Sequence, residues 1–168
     1  TMKVGDNLSF EGPLGTFTLR EDSDKPILFV AGSTGFAPVK SMVESAFHTG
    51  INRQMVLYWG VRRPSDFYLA DLAEQWAREH ANFKFVPVLS APEPQDHWIG
   101  RTGLVHEAIL QDYPDLSQHQ VYACGSVQMV KAAQPTFVKH GISTDDCFSD
   151  AFHLAPHRPL DSQQADLV

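Results

Sequence analysis

Only two cysteines, Cys124 and Cys147, occur in 168 residues. That excludes a disulfide framework and the four thiolates of an iron–sulfur cluster, and both thiols are read as reduced. The eight histidines are spread along the chain without a ligand framework, so no metal is expected. Basic residues are also few: 13 Lys plus Arg stand against 20 Asp plus Glu, a formal charge of −7. A nucleic-acid partner would ask for the opposite balance. No apolar run nears the roughly 20 residues that cross a bilayer. The opening "TMKVGDNLSF" carries no secretory core, and the expectation is a cytoplasmic protein with no membrane partner.

What is present suits a folded domain. Hydrophobic residues make up 43% and charged residues 20%, ordinary globular usage. The length allows one main domain with small additions. Apolar and polar residues alternate on both sides of Gly12-Pro13-Leu14-Gly15, predicting a short antiparallel hairpin of Leu8 to Glu11 and Thr16 to Arg20. Ile27 to Ala31 is then an almost unbroken apolar run, as in a strand buried on both faces of a parallel sheet.

Helical and strand patterns alternate from there. A helix from about Phe36 to His48 stops at Gly50, a residue suited to a left-handed cap. "QMVLYWGV" is a strand, and Ser65 is placed to cap the helix "DFYLADLAEQWAREH". "FKFVPVLS" is a third strand whose Pro87 favours an edge. "APEPQDHWIGR" is a long loop, with Thr102 expected to cap the helix "GLVHEAILQDY". "QVYACGS" is a fourth strand, "VQMVKAAQPTFVKHG" a helix kinked or broken near Pro135, and "DDCFSDAF" a last strand. The pattern predicts an α/β fold, a doubly wound five-stranded parallel sheet preceded by a short antiparallel hairpin. An α+β fold with a mixed sheet is the alternative. The tail after Phe152 has no period and is expected to be mobile.

The stretch "FVAGSTGFAP" carries the functional signal. Open α/β sheets bind ligands where strands end and the chain turns into a helix. Gly32 and Gly35 let the backbone approach a ligand, Ser33 and Thr34 add hydroxyls, and the free amides of the helix start favour a pyrophosphate. The spacing is G-x-x-G rather than the full dinucleotide fingerprint, and the second strand ends in Gly60-Val61-Arg62-Arg63 in place of an acidic residue. A glycine-rich turn also occurs as plain loop chemistry. Arg62 and Arg63 are planar donors suited to a phosphate or an adenine face, or else a solvated surface pair. "ACGSVQM" repeats the strand-to-helix turn through Cys124, Gly125 and Ser126, with Met129 one turn on. Cys124 read alone is equally a small buried apolar residue. No G-x-S-x-G elbow supports a hydrolase.

Taken in order, "GPLGTF", "AGSTGFAP", "YWGVRRPSDFYL", "WIGRTGLV", "YACGSVQMV" and "FSDAF" resemble the nicotinamide-binding half of the ferredoxin-NADP reductase superfamily. They are most like the bacterial NAD(P)H-flavin reductases and the reductases of the CDP-6-deoxy-glucoseen and dioxygenase type. The resemblance runs from about Val4 to Phe152. It implies NAD(P)H as cofactor, with FAD or flavin held by an antiparallel barrel of the complete enzyme. It divides the chain into a barrel remnant (1–25), an NAD(P)-binding domain (26–153) and a tail (154–168). It also implies that Gly32 to Gly35 and Pro38 belong to the dinucleotide site, that Ser33 replaces a usual glycine, and that Arg62 lies near the adenosine ribose. Cys124 and Gly125 would face the nicotinamide and Phe152 the flavin, with Cys124, Thr34 and Phe152 shaping the space between the rings.

None of the seven arginines begins the flavin signature R-x-Y-S/T, and the ferredoxin cysteine spacing is missing. The expectation is therefore a piece of a longer enzyme that passes hydride from nicotinamide to flavin. Its expected partners are a flavin domain and an iron–sulfur domain or ferredoxin-like acceptor. The alternative is an orphaned interaction or oligomerisation module that self-associates through its bared face.

Overall fold

The computed structural model describes residues 2–7, 9 and 15–150. Ten regular elements follow one another as β1 (Ile27–Gly32), α1 (Phe36–Thr49), β2 (Met55–Val61), α2 (Ala70–Glu79), β3 (Phe83–Leu89), β4 (Arg101–Thr102), α3 (Val105–Asp112), β5 (Gln120–Cys124), α4 (Val127–Lys139) and β6 (Cys147–Ser149). Every pairing is parallel, in the order β4-β3-β2-β1-β5-β6. The α/β parallel sheet is the one the sequence pattern predicts.

The unbroken apolar run of β1 has a simple cause: the strand has core on both sides. Ile27, Phe29 and Ala31 join the core under α1 and α2, with Phe36, Val39, Val43, Trp59 and Trp76. Leu28 and Val30 point the other way, into the core under α3 and α4, with Ile109, Val130 and Phe137. Each large side chain so buried contributes about 1.5–3 kcal/mol, which makes β1 the axis of the domain. α1 ends as predicted at Gly50 (φ 73°), whose N–H reaches the carbonyls of Ala46 and Phe47.

Several details differ from expectation. The sheet has a sixth strand, the two-residue β4, which pairs only with Val88 and Leu89 of β3. Thr102 lies in that strand and does not cap α3, whose N-cap is Leu104 without a side-chain bond. α2 starts at Ala70 because Pro64–Asp66 forms a separate 3₁₀ turn, closed by the Arg63 N–H donating to Asp66 at 3.0 Å. α4 runs on through Pro135, and the Thr136 hydroxyl donates to the Ala132 carbonyl at 3.1 Å.

The final strand is shorter than predicted, as a 3₁₀ turn takes Thr144–Asp146. The second arm of the hairpin, Thr16 to Arg20, is no strand; Phe17 and Leu19 pack on the core instead. Most of the first arm, with its turn, lies outside the described residues, as do Phe152 and the tail. Among the described residues, no helix is long and apolar enough to cross a membrane.

Candidate functional site

The chain leaves β1 toward β2, while β5 closes on the other flank of β1. Strand order therefore reverses between β1 and β5, and a crevice opens at their carboxyl ends. The two glycine turns meet there. A methyl group on Gly125 would lie 3.1 Å from the Cα of Gly32, and one on Gly35 would overlap the Cys124 carbonyl and come within 2.7 Å of the Gly125 nitrogen. Glycine is required for the start of α1 to rest directly on the turn after β5.

Ser33 sits in the left-handed region at φ 48°, where a non-glycine residue is strained by about 1–2 kcal/mol. Its carbonyl accepts a hydrogen bond from the Trp59 indole N–H at 3.0 Å, and Trp59 is itself stacked on Phe36 at 4.1 Å. The buried aromatic pair thus holds the turn. On the other flank Ser126 caps α4, its hydroxyl accepting from the Met129 N–H at 3.1 Å. The sequence pattern of strand, glycine, serine and helix produces this cap directly.

Beside the joined turns, bounded by Gly32 and Ser33 on one side and Ser126 on the other, lies a cleft of about 230 Å³. Of the residues singled out in the sequence, Gly32, Ser33, Arg62, Ser126 and Met129 line it; the other walls come from Gly60, Val61, Ser90, Gly103, Leu104, Val105 and His106. Gly35 is buried beneath the turn, and Thr34 is exposed beside it. Cys124 is buried just below Gly125, where burial first, and Asp150 second, push its thiol up to about 11 against the opposing Gly125 N–H. The thiol stays protonated, consistent with a buried packing residue and with no nucleophile.

Of the other expected residues, Thr34, Gly35, Cys124 and Gly125 lie in the two turns without lining the cleft, and Pro38 and Arg63 lie away from it. Pro38 lies in a separate groove with Phe17, Leu19 and Met42. Arg63 turns away and forms an ion pair with Glu93, so the two neighbouring arginines have different surroundings. The residues missed in the sequence follow the same carboxyl-edge rule: Ser90 follows β3, and Gly103 and His106 follow β4. A larger hollow of about 720 Å³ lies apart, between Phe17 and Arg20 on one side and Phe148 and Asp150 on the other.

The crevice at a reversal of strand order, its glycine floor and one cationic arm describe a site for an anionic, nucleotide-like ligand. A family model for an oxidoreductase NAD-binding domain matches residues 29–135. A CDP-6-deoxy-L-threo-D-glycero-4-hexulose-3-dehydrase reductase of Yersinia pestis is 49% identical over 151 residues, covering 90% of this chain and 45% of that protein. An NAD(P)H-flavin reductase of Aliivibrio fischeri is 33% identical over 152 residues, covering 90% of this chain and 63% of the other. Among solved structures, a cytochrome P450 reductase of Amycolatopsis superposes with a TM-score of 0.76 at 32% identity, over 86% of this chain and 44% of that one. The chain spans about half the length of the first of these relatives.

Proposed function

We propose a function for this chain from the premise that it belongs to the oxidoreductase NAD-binding domain family: it binds NAD(P)H in the cleft lined by Gly32, Arg62 and Ser126 and presents it to a flavin held by another part of a longer protein. The observation that carries the reading is the crevice at the reversal of strand order, walled by Gly32, Ser33, Arg62 and Ser126, the place where open α/β sheets hold dinucleotides. When bound, the dinucleotide supplies a hydride that the flavin accepts.

The chain's own residues position and enclose. Gly32, Gly125 and the cap at Ser126 give backbone approach, and Met129 closes the floor with a deformable side chain. Arg62 meets the adenosine or phosphate end. Thr34 and the protonated Cys124 shape the nicotinamide end; Phe152, which lies outside the described residues, is assigned the flavin side by resemblance alone. Residues 26–153 form the dinucleotide unit in this reading, with 1–25 belonging to the flavin-binding part. The NAD(P)H-flavin reductase name of one relative supports the flavin step; an iron–sulfur or ferredoxin-like acceptor downstream is assigned by the resemblance of the motifs alone. The oxidoreductase match disfavours the interaction-module alternative.

Calorimetric titration with NADH and NADPH tests the reading. Saturable binding is expected, weakened about tenfold, or about 1.4 kcal/mol, by Arg62→Ala. Arg63→Ala, removed from the cleft, is expected to bind like wild type. Equal binding by wild type and Arg62→Ala removes Arg62 from the site, and no binding by wild type overturns the function.

A further inference from the structure

Among the described residues, two side chains hold a buried polar atom with no hydrogen-bond partner: the Nδ1 atoms of His106 and His119. Buried polar groups are nearly always paired, so each exception asks for an explanation. The two rings lie at opposite ends of the sheet. His119 is at the amino end, in a small hollow with Pro26, Lys84 and Tyr113, where it makes an edge contact with the Tyr113 ring at 5.0 Å. His106 is at the carboxyl end, in the first turn of α3, only 7% exposed, and lines the cleft with Ser90, Arg62 and Ser126.

The bonding of His106 fixes its chemistry. A proton at Nδ1 would be a sealed donor with no acceptor, so the neutral ring carries its proton at Nε2. Burial lowers the pKa of the imidazole, opposed by the neighbouring Glu107 carboxylate, which keeps the ring neutral near pH 7. Nε2–H is then its one donor. α3 also begins without a side-chain cap, so its first amides share the same wall of the cleft.

We propose that His106 is a binding residue of this cleft, a neutral imidazole that donates from Nε2 to a phosphate or ribose oxygen of the bound dinucleotide beside the uncapped start of α3. The proposal rests on the dinucleotide reading of the site and adds to it a residue on the wall opposite the glycine turns. A neutral donor holds an oxygen without adding a second positive charge near Arg62, and its rigid ring needs little ordering on binding.

The test is nitrogen-15 NMR of the imidazole groups in the full chain, titrated with NAD⁺, beside calorimetry on variants. Before addition, His106 is expected to show the Nε2–H tautomer. On titration its Nε2 resonance should move and saturate with the calorimetric curve, while His119 stays in place as an internal reference. His106→Phe, which keeps a ring and loses the donor, should bind five- to tenfold more weakly. His106→Gln, whose amide nitrogen falls near the position of Nε2, should recover most of that loss.

An unmoved His106 resonance in a wild-type chain that does bind overturns the proposal and leaves the dinucleotide reading intact. Recovery by His106→Asn in place of His106→Gln assigns the contact to Nδ1 and also overturns it. Absence of any binding by wild type overturns both. The wild-type spectrum decides the matter even where a variant fails to fold.

Discussion

At the amino ends of the strands, Arg53 places its guanidinium on the carbonyls of Lys25 and Arg20 and on the Gln120 amide oxygen, at 2.6–2.8 Å. Gln120 and Lys25 in turn bond the Asp146 carboxylate at 3.1 and 2.6 Å, and the Tyr122 hydroxyl accepts from the Arg20 N–H at 2.9 Å. At the carboxyl ends the composition reverses: glycines where side chains would fill space, a left-handed serine, an open cleft with one cationic arm. One end stitches the incoming segment of residues 20–25 to β2, β5 and the turn before β6 by mutual satisfaction. The other keeps its donors for a visitor. Within one sheet, stability and recognition are separated by the length of a strand.

Four substitutions sharpen or break that contrast, beginning with the most severe. Gly35→Val drives a side chain into the Cys124 carbonyl and is expected to cost about 3 kcal/mol or more, with dinucleotide binding lost; denaturant unfolding and calorimetry read the two. Arg53→Ala takes this donor from the Lys25 and Arg20 carbonyls and leaves the Gln120 amide oxygen with the Tyr122 hydroxyl alone. It should destabilise by about 2 kcal/mol with an unchanged dissociation constant for NADH. A tenfold change in that constant would show that the two ends are not independent.

Ser33→Gly relieves about 1–2 kcal/mol of left-handed strain but gives the unfolded chain back about 0.4–1 kcal/mol of freedom. A net gain of about 0.5 kcal/mol is expected, read as a small rise in melting temperature. Any loss of stability would mean that Trp59 compensates the strain fully.

The smallest effect concerns acid. Burial alone would raise the Asp146 pKa, yet the bonds from Lys25 and Gln120, with the charges of Lys25 and Arg53, outweigh it and hold the carboxyl below its ordinary value. A depressed folded pKa means stability present above the ordinary carboxylate range and lost as pH falls through the folded value. Wild type should therefore weaken below about pH 4. Asp146→Asn should start less stable at pH 7 and show a flatter acid limb in thermal melts at stepped pH.

Much of this was legible before the coordinates. The doubly buried β1 announces itself by an apolar run with no alternation, and the two glycine turns by their place after strands. β4 was illegible because two residues carry no period. Thr102 looked like a cap because a hydroxyl before an apolar helix is the usual signal, and here a strand claimed it. Phe17 and Leu19 alternate as a strand does, but with no strand paired to them among the described residues they serve as packing. Arg62 and Arg63 are indistinguishable in sequence; Glu93, on a different loop, separates them. His106 hid inside an apolar helical stripe, and only its burial beside an open cleft with an empty Nδ1 sets it apart.

The parting of Gly32 and Gly125 along the chain bears on how the protein is made. A nascent polypeptide grown as far as α3 holds β1 to β4, yet one flank of β1 is bare until β5 emerges and pairs with it. Half a berth binds nothing, so coenzyme can reward only chains that have finished folding. At a hundred times its dissociation constant that reward is about 2.7 kcal/mol. It would register as slower hydrogen exchange across the whole sheet, with β5 and β6 protected along with β2 and β3.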